Sequence, residues 1–285
     1  MAVYNLGSIN LDYFYNVPHL PQAGETLAST RFHQGLGGKG ANQSIALARG
    51  GANVIHIGQI HHSDDNHIAL MRDVGVDTSH IAKNDTPTGH AIVIIEDKTA
   101  ENQILLMQGA NITITPQMID DALGDAGPND WALTQNETNL GAEFLKQAKE
   151  KGCQICYSAA PFLKDKLLSL IDIIDLLIVN EIEAEEVSAA LGKQPDSWPV
   201  PHVIVTKGAE GAYYYGQDGT HFMPAEQVKA VDTTGAGDTY LGFFLARLSC
   251  GADIKTAMML AGKAAALQVT RHGTADAIPD ITELS

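Results

Sequence analysis

Short apolar runs alternate along the chain with stretches in which apolar residues return every three or four positions. The runs at 3–10, 53–59, 130–135, 154–158, 175–180 and 203–207 predict strands buried on both faces. The periodic stretches at 41–49, 64–74, 116–126, 140–151, 164–171 and 181–191 predict helices between them. Such repetition predicts a mainly parallel sheet with helices on both sides. Two regions break the rhythm. Residues 10–17 and 25–34 read as strands with no helix between them, and 90–96 pairs with 103–108 around a turn at 97–102. Together they predict a small accessory sheet. Strands at 212–215 and 220–223 and helices at 237–250 and 253–270 close the chain. No fixed-period repeat and no linker-like tract interrupts residues 1–285, so one α/β domain carrying the small sheet is expected.

Composition narrows the setting. Hydrophobic residues make up 45% of the 285 positions and charged residues 18%, as in an ordinary globular protein. No apolar run reaches membrane-spanning length, and the first residues lead directly into a strand, so neither a membrane partner nor a signal peptide is expected. Acidic residues outnumber basic ones by 34 to 18, for a net charge of −16. That field repels nucleic acid, and a triphosphate would have to be held by metal ions and backbone dipoles. Three cysteines, an odd number, argue against a disulfide framework and suit a reducing cytoplasm. Cys153 and Cys156 have redox spacing, but they lie in what reads as a strand, whose geometry points them to opposite faces.

The chemistry concentrates in the stretch Val-Asp-Thr-Thr-Gly-Ala-Gly-Asp-Thr at 231–239. Gly235, Ala236 and Gly237 stand at the entrance of an apolar helix, where free amides and the helix dipole converge on an anion. Asp238, in the first turn, can accept a proton from a hydroxyl held over those amides. Read alone, the same pattern also fits an acid that merely caps a helix. Gly37-Gly38-Lys39-Gly-Ala-Asn42 offers close backbone approach, with Lys39 and Asn42 as donors. Asn10 and Asp12 lie two apart on a strand, on one side, where they can hold adjacent hydroxyls or make an Asx turn. His56, His61, His62 and His67 match no standard metal spacing and read as a polar loop.

Asp232-Thr-Thr-Gly-Ala-Gly-Asp-Thr239 and Gly37-Gly-Lys-Gly-Ala-Asn42 resemble the two signatures of the ribokinase (PfkB) family of carbohydrate kinases. The resemblance extends over nearly the whole chain. It implies a three-layer α/β/α sandwich with a mainly parallel central sheet and a β-sheet lid formed by 10–34 and 90–108. The implied activity is ATP-dependent phosphorylation of the primary hydroxyl of a pentose, ribose at O5. Asp238 would be the base and Gly235, Ala236 and Gly237 the anion hole. Asn10, Asp12, Gly38, Lys39, Asn42, Glu137 and Asp238 correspond to sugar-binding positions. Asn180, Thr206, Lys207, Gly208, Gly211 and Gly237 correspond to nucleotide contacts, with the helix at 264–269 beside the adenine. Glu183 corresponds to a residue that places Mg²⁺, here through water.

Asp232, Thr234, Gln268, Arg271, Gly273 and Ala277 match positions that bind a monovalent cation such as K⁺, largely through carbonyls. Ala277 replaces a Ser there, which puts cation dependence in question. In the ribokinase family the lids of two subunits clasp, which implies a homodimer. Three alternatives remain open, the first being a kinase of another sugar within the same family. If Tyr13, Phe14 or Tyr15 stacks on a base, the acceptor becomes a nucleoside such as inosine or adenosine. A sugar-binding protein without catalysis is the non-enzymatic reading.

Overall fold

The computed structural model describes residues 1–99, 101–217 and 219–284. The chain begins with β1 (Ala2–Leu6), β2 (Asn10–Val17), β3 (Arg31–Gly37), α1 (Lys39–Arg49) and β4 (Asn53–His61). It continues through α2 (Ala69–Asp73), β5 (Ile81–Asn84), β6 (Gly89–Glu96), β7 (Asn102–Met107) and α3 (Pro116–Ala122). Strand and helix then alternate: β8 (Trp131–Thr134), α4 (Gly141–Glu150), β9 (Gln154–Ser158), α5 (Lys164–Leu170), β10 (Leu176–Asn180) and α6 (Glu181–Leu191). Last come β11 (His202–Thr206), β12 (Gly211–Gly216), β13 (Gly219–Pro224), α7 (Ala236–Ser249) and α8 (Ile254–Gln268).

Alternation within each strand decides the layering. In β10, Leu176 and Ile178 enter one core while Leu177 and Val179 enter the other. The first core is closed by α1, α7 and α8, the second by α3 to α6. Central strands with both faces covered must be apolar throughout, and β8 is buried at all four positions. The large sheet runs β13-β12-β11-β10-β9-β8-β1-β4-β5, parallel from β11 to β5, with β12 and β13 antiparallel at one edge. A second sheet, β3-β2-β6-β7, is antiparallel except for the β2–β6 pair.

From β1 the sheet grows one way through β4 and from β8 the other way, so a crevice opens beyond their carboxyl ends. The predicted strand at 3–10 divides there. It leaves the large sheet after Leu6, and Asn10 begins β2 of the small sheet. Gly7 passes so near Gly40 that a side chain on either would collide with the other's backbone. The strand expected at 25–34 starts only at Arg31, and the helix expected at 64–74 opens as a 3-10 turn over His62–Ile68. Strand β5, which the pattern did not predict, pairs with Gly58–His61.

One glycine sets the helix spacing that matters most. A side chain at Gly242 in α7 would strike Ala46 in α1, so its absence lets the two helices approach. Their N-termini are thereby brought together beneath the crevice.

Candidate active site

Two helix starts and one strand start converge. Asn10 and Asp12 lie on one face of β2, whose register sets Asn10 opposite Gly37 and Asp12 opposite Gly35. Asn111 fixes this entry. Its amide accepts from the Ile9 N–H at 2.9 Å and donates to the Asn10 Oδ1 at 2.8 Å. Sequence reading missed Asn111, a buried residue in the 3-10 turn Gly109–Ile112. The Asp12 carboxylate rests against Gly37, where any side chain would displace it. Burial, and then the charge of Glu137, push its carboxyl up to about 6.

Glu137 follows β8 and turns inward. It accepts from Ser8 Oγ at 2.5 Å and from the Lys39 N–H at 3.1 Å. Gly38, at φ 89°, crosses within reach of the Ser8 carbonyl and the Asn10 amide, a passage that a side chain would block. The Lys39 ammonium is held above its ordinary range by Asp238 foremost and by Glu137 and Glu183, against the opposing effect of burial. It is thus a fixed positive charge among carboxylates.

Asp238 occupies the first turn of α7 and is 8% exposed. Gln43 Nε2 donates to its Oδ1 at 2.8 Å and Asn42 Nδ2 to its Oδ2 at 3.2 Å. Gly235 caps the helix in the left-handed region, at φ 78°. The Ala236 N–H reaches back to the Thr233 carbonyl at 3.3 Å, whereas those of Gly237 and Asp238 have no intrahelical carbonyl to bond and lie at the positive end of the helix dipole.

On the far side of that turn lies a cavity of about 290 Å³. Met223, Val228, Tyr240, Ala265, Ala266 and Val269 give it apolar walls, and Thr206, Gly208, Gly211 and Gly237 also border it. Asn180 and Lys207 do not line it. Lys207 pairs with Glu181 at 3.0 Å, and its Nζ lies 5.8 Å from the Tyr213 ring centre. Asn180 caps α6: its Oδ1 accepts from the Glu183 N–H at 2.8 Å, while Glu183 Oε2 accepts from the Asn180 N–H at 2.9 Å. Burial raises the Glu183 carboxyl, opposed by that amide and by Lys39.

The positions matched to a cation site fall into two adjoining loops. Asp232 joins them, accepting from the Thr234 N–H at 3.0 Å and the Gly273 N–H at 3.2 Å. Gln268 Nε2 donates to the Thr234 carbonyl at 3.1 Å, and its buried Oε1 has no hydrogen-bond partner. A buried carbonyl oxygen of this kind suits a hard monovalent cation. Arg271 instead turns its guanidinium to Glu283 at 2.5 Å, and Ala277 is buried in the turn Ala275–Ala277.

The remaining candidates separate. Tyr13 and Tyr15 pack against Phe32 on one face of the small sheet. Phe14 points the other way, to the face of Asn10 and Asp12, and stacks on His33 with centroids 4.4 Å apart. Burial foremost and Arg31 next hold His33 below its usual range. His56 does not belong to a polar loop. It lies in β4, fully buried, where Nδ1 meets Ser44 Oγ at 2.8 Å and Nε2 has no hydrogen-bond partner. His61, His62 and Asp85 cluster at the surface with ligand atoms within 4.8 Å, whereas His67 is not part of the group. Cys153 and Cys156 enter opposite cores, as strand geometry required.

Hydrogen-bonded polar side chains and an apolar cavity thus meet around the first turn of α7. A family model described as pfkB family carbohydrate kinase matches residues 3–281. A ribokinase of Haemophilus influenzae is 34% identical over 290 residues, covering 96% of this chain and 94% of its own. A deoxyribokinase of Salmonella typhi is 29% identical over 300 residues, covering 100% and 98%. The structure of Arabidopsis thaliana ribokinase with ribose and ATP superimposes with a TM-score of 0.84 at 26% identity, over 99% of this chain and 96% of that one. Matched from end to end in sequence and in fold, the chain belongs to the pfkB family of carbohydrate kinases and is an ATP-dependent sugar kinase.

Proposed function

We propose that the chain transfers the γ-phosphoryl group of ATP to the primary hydroxyl of a pentose, with ribose at O5 the preferred acceptor. The observation that carries this reading is Asp238, a buried carboxylate at a helix start, gripped by two amide side chains and facing the same crevice as Asn10, Asp12 and Glu137. Asp238 takes the proton of the attacking hydroxyl, and the amides from Gly235 to Asp238 stabilise the group in flight. Asn10, Asp12, Gly38, Lys39, Asn42 and Glu137 read the sugar hydroxyls. The apolar cavity accepts the nucleobase. Mg²⁺ supplies charge neutralisation on the phosphates, and Glu183 holds it through water. The two loops joined by Asp232 would hold K⁺, with the unpartnered Gln268 Oε1 as a candidate ligand.

The ribokinases and the deoxyribokinase among the relatives make ribose and 2-deoxyribose the acceptors to compare first. ADP release with Mg²⁺ and each sugar measures it, and ribose is expected to lead in kcat/KM. Sugar-dependent thermal stabilisation without ADP, across the panel, would instead identify a non-catalytic binding protein. One observation favours a second reading, a nucleoside kinase. The Phe14–His33 stack lies on the face that carries Asn10 and Asp12. Inosine or adenosine exceeding ribose tenfold in kcat/KM would establish it.

The chain acts as one domain, residues 1–285, whose small sheet serves as a lid. A homodimer through that lid is supported by Ile104, Leu105, Leu106 and Met107 of β7, all more than half exposed. Light scattering should give twice the chain mass. Three free cysteines suit a cytoplasmic location, and among the described residues no helix is long and apolar enough to cross a membrane.

A further inference from the structure

Behind Asp238 lies a chain of polar side chains that touches neither substrate pocket. Asn5, Gln43, Ser44, His56 and Gln135 are each no more than 1% exposed. Five buried polar side chains in one place are costly unless they satisfy one another. Here they form a continuous path. His56 Nδ1 lies 2.8 Å from Ser44 Oγ, and Asn5 Nδ2 donates to that hydroxyl at 2.8 Å. Gln135 Nε2 donates both to Asn5 Oδ1 at 3.0 Å and to Gln43 Oε1 at 2.6 Å. Gln43 Nε2 completes the path at Asp238 Oδ1.

From Asp238 to Ser44 the path has a single polarity, and the carboxylate fixes it. Asp238 as an anion only accepts, so Gln43 must present its amide nitrogen to it and its oxygen to Gln135. Gln135 must then donate, Asn5 must accept with its oxygen, and the Asn5 nitrogen is left to donate to Ser44. There the forced polarity ends: the Ser44 hydroxyl meets His56 Nδ1 as donor or as acceptor, and neither His56 Nε2 nor Gln135 Oε1 has a hydrogen-bond partner. Burial keeps that ring neutral, pushing His56 down to about 4. Reversing any amide would set oxygen against oxygen.

We propose that Asn5, Gln135 and Gln43 form a positioning relay that holds Asp238 in one rotamer, with Oδ2 turned toward the acceptor hydroxyl. Gln43 is the residue in contact. Gln135 and Asn5 act through it, and Ser44 and His56 anchor the far end. The relay joins β1, β4, the segment after β8, and α1 to the first turn of α7, so the base is aligned by the sheet itself rather than by the lid.

The proposal rests on Asp238 being the base, so Asp238→Asn is measured alongside. Gln43→Glu keeps the shape and still accepts from Gln135, but sets a carboxylate against Asp238. The acid limb of kcat against pH should move up by about one unit or more, with the KM for sugar changed less than kcat. Gln135→Met keeps the volume and frees Gln43 to turn. It should lower kcat by about ten- to a hundredfold with sugar affinity retained, and add no further loss to Asp238→Asn.

A Gln43→Glu profile superimposable on the parent enzyme, in a cooperatively melting protein, would overturn the relay alone. Equal loss from Gln135→Met in both backgrounds would do the same. Full activity in Asp238→Asn would remove the base assignment and the relay together. Should Gln135→Met not fold, Gln43→Glu decides.

Discussion

The two halves of the proposed active site are built from different materials. The acceptor half consists of buried polar side chains with mutually fixed partners: Asn10 with Asn111, Glu137 with Ser8, and Asp238 with Asn42 and Gln43. The nucleotide half is a hollow between loops and a helix, walled by Ala265, Ala266, Val228 and Val269 and bordered by glycines. A buried polar site discriminates sharply, because an acceptor lacking one hydroxyl leaves a partner unpaired. A hollow of small apolar residues selects by volume and flatness. Acceptor choice and catalysis are therefore expected to fail through hydrogen bonds, nucleotide binding through shape.

The strongest break in that comparison is Asp238→Asn, which keeps the shape of both halves and removes only the proposed proton acceptor. A loss in kcat of about a hundredfold or more is expected, with ATP and sugar affinities retained, as read by single-turnover assay and calorimetry. Gly242→Ala should damage both halves at once by forcing α7 away from α1 at Ala46. Overpacking there should cost about 1–3 kcal/mol of stability, visible as a lowered denaturation midpoint, and raise both KM values.

Ala265→Leu tests the nucleotide half alone. Filling part of the 290 Å³ cavity should raise the KM for ATP about tenfold, roughly 1.4 kcal/mol, and leave sugar binding intact by calorimetry. The smallest effect is on pH. Because the Asp12 carboxyl is raised to about 6, the free folded protein holds a proton that the unfolded chain releases near its ordinary value of 3.8. That group's contribution to stability is thus present at low pH and lost as pH rises through about 6. Sugar hydroxyls donating to the carboxylate favour the opposite state. The KM for sugar should therefore rise about twofold between pH 7 and pH 6, and Asp12→Asn should flatten that dependence.

The same contrast explains what could be read in advance. The predicted strand at 154–158 and helix at 181–191 coincide with β9 and α6, where period and caps agree. The small sheet was legible because two strand pairs without intervening helices cannot belong to a parallel layer. β5 was not, since Ile81–Asn84 is four residues long and half polar. The glycine motifs were legible because a left-handed Gly235 or a crowded Gly38 leaves no other choice. Asn111, Gln43 and Gln135 carry no such mark. A polar side chain looks alike in sequence whether water or another side chain satisfies it, and only tertiary packing decides. The cavity walls were missed in part for a related reason: Met223 and Val228 are unremarkable until α8 is laid beside them.

Asn10, Asp12 and Phe14 stand on β2, in a separate sheet, whereas Asp238 stands on a helix clamped to the main core. In evolutionary terms, this divides the molecule into a reader and a reactor. Substitutions along β2 and its neighbour β3 can retune which acceptor is admitted while Asp238 and the groups proposed to align it stay untouched. A scaffold partitioned in this way can serve a ribokinase, a deoxyribokinase or a kinase of base-bearing sugars, with the change confined to a few residues on a thin sheet.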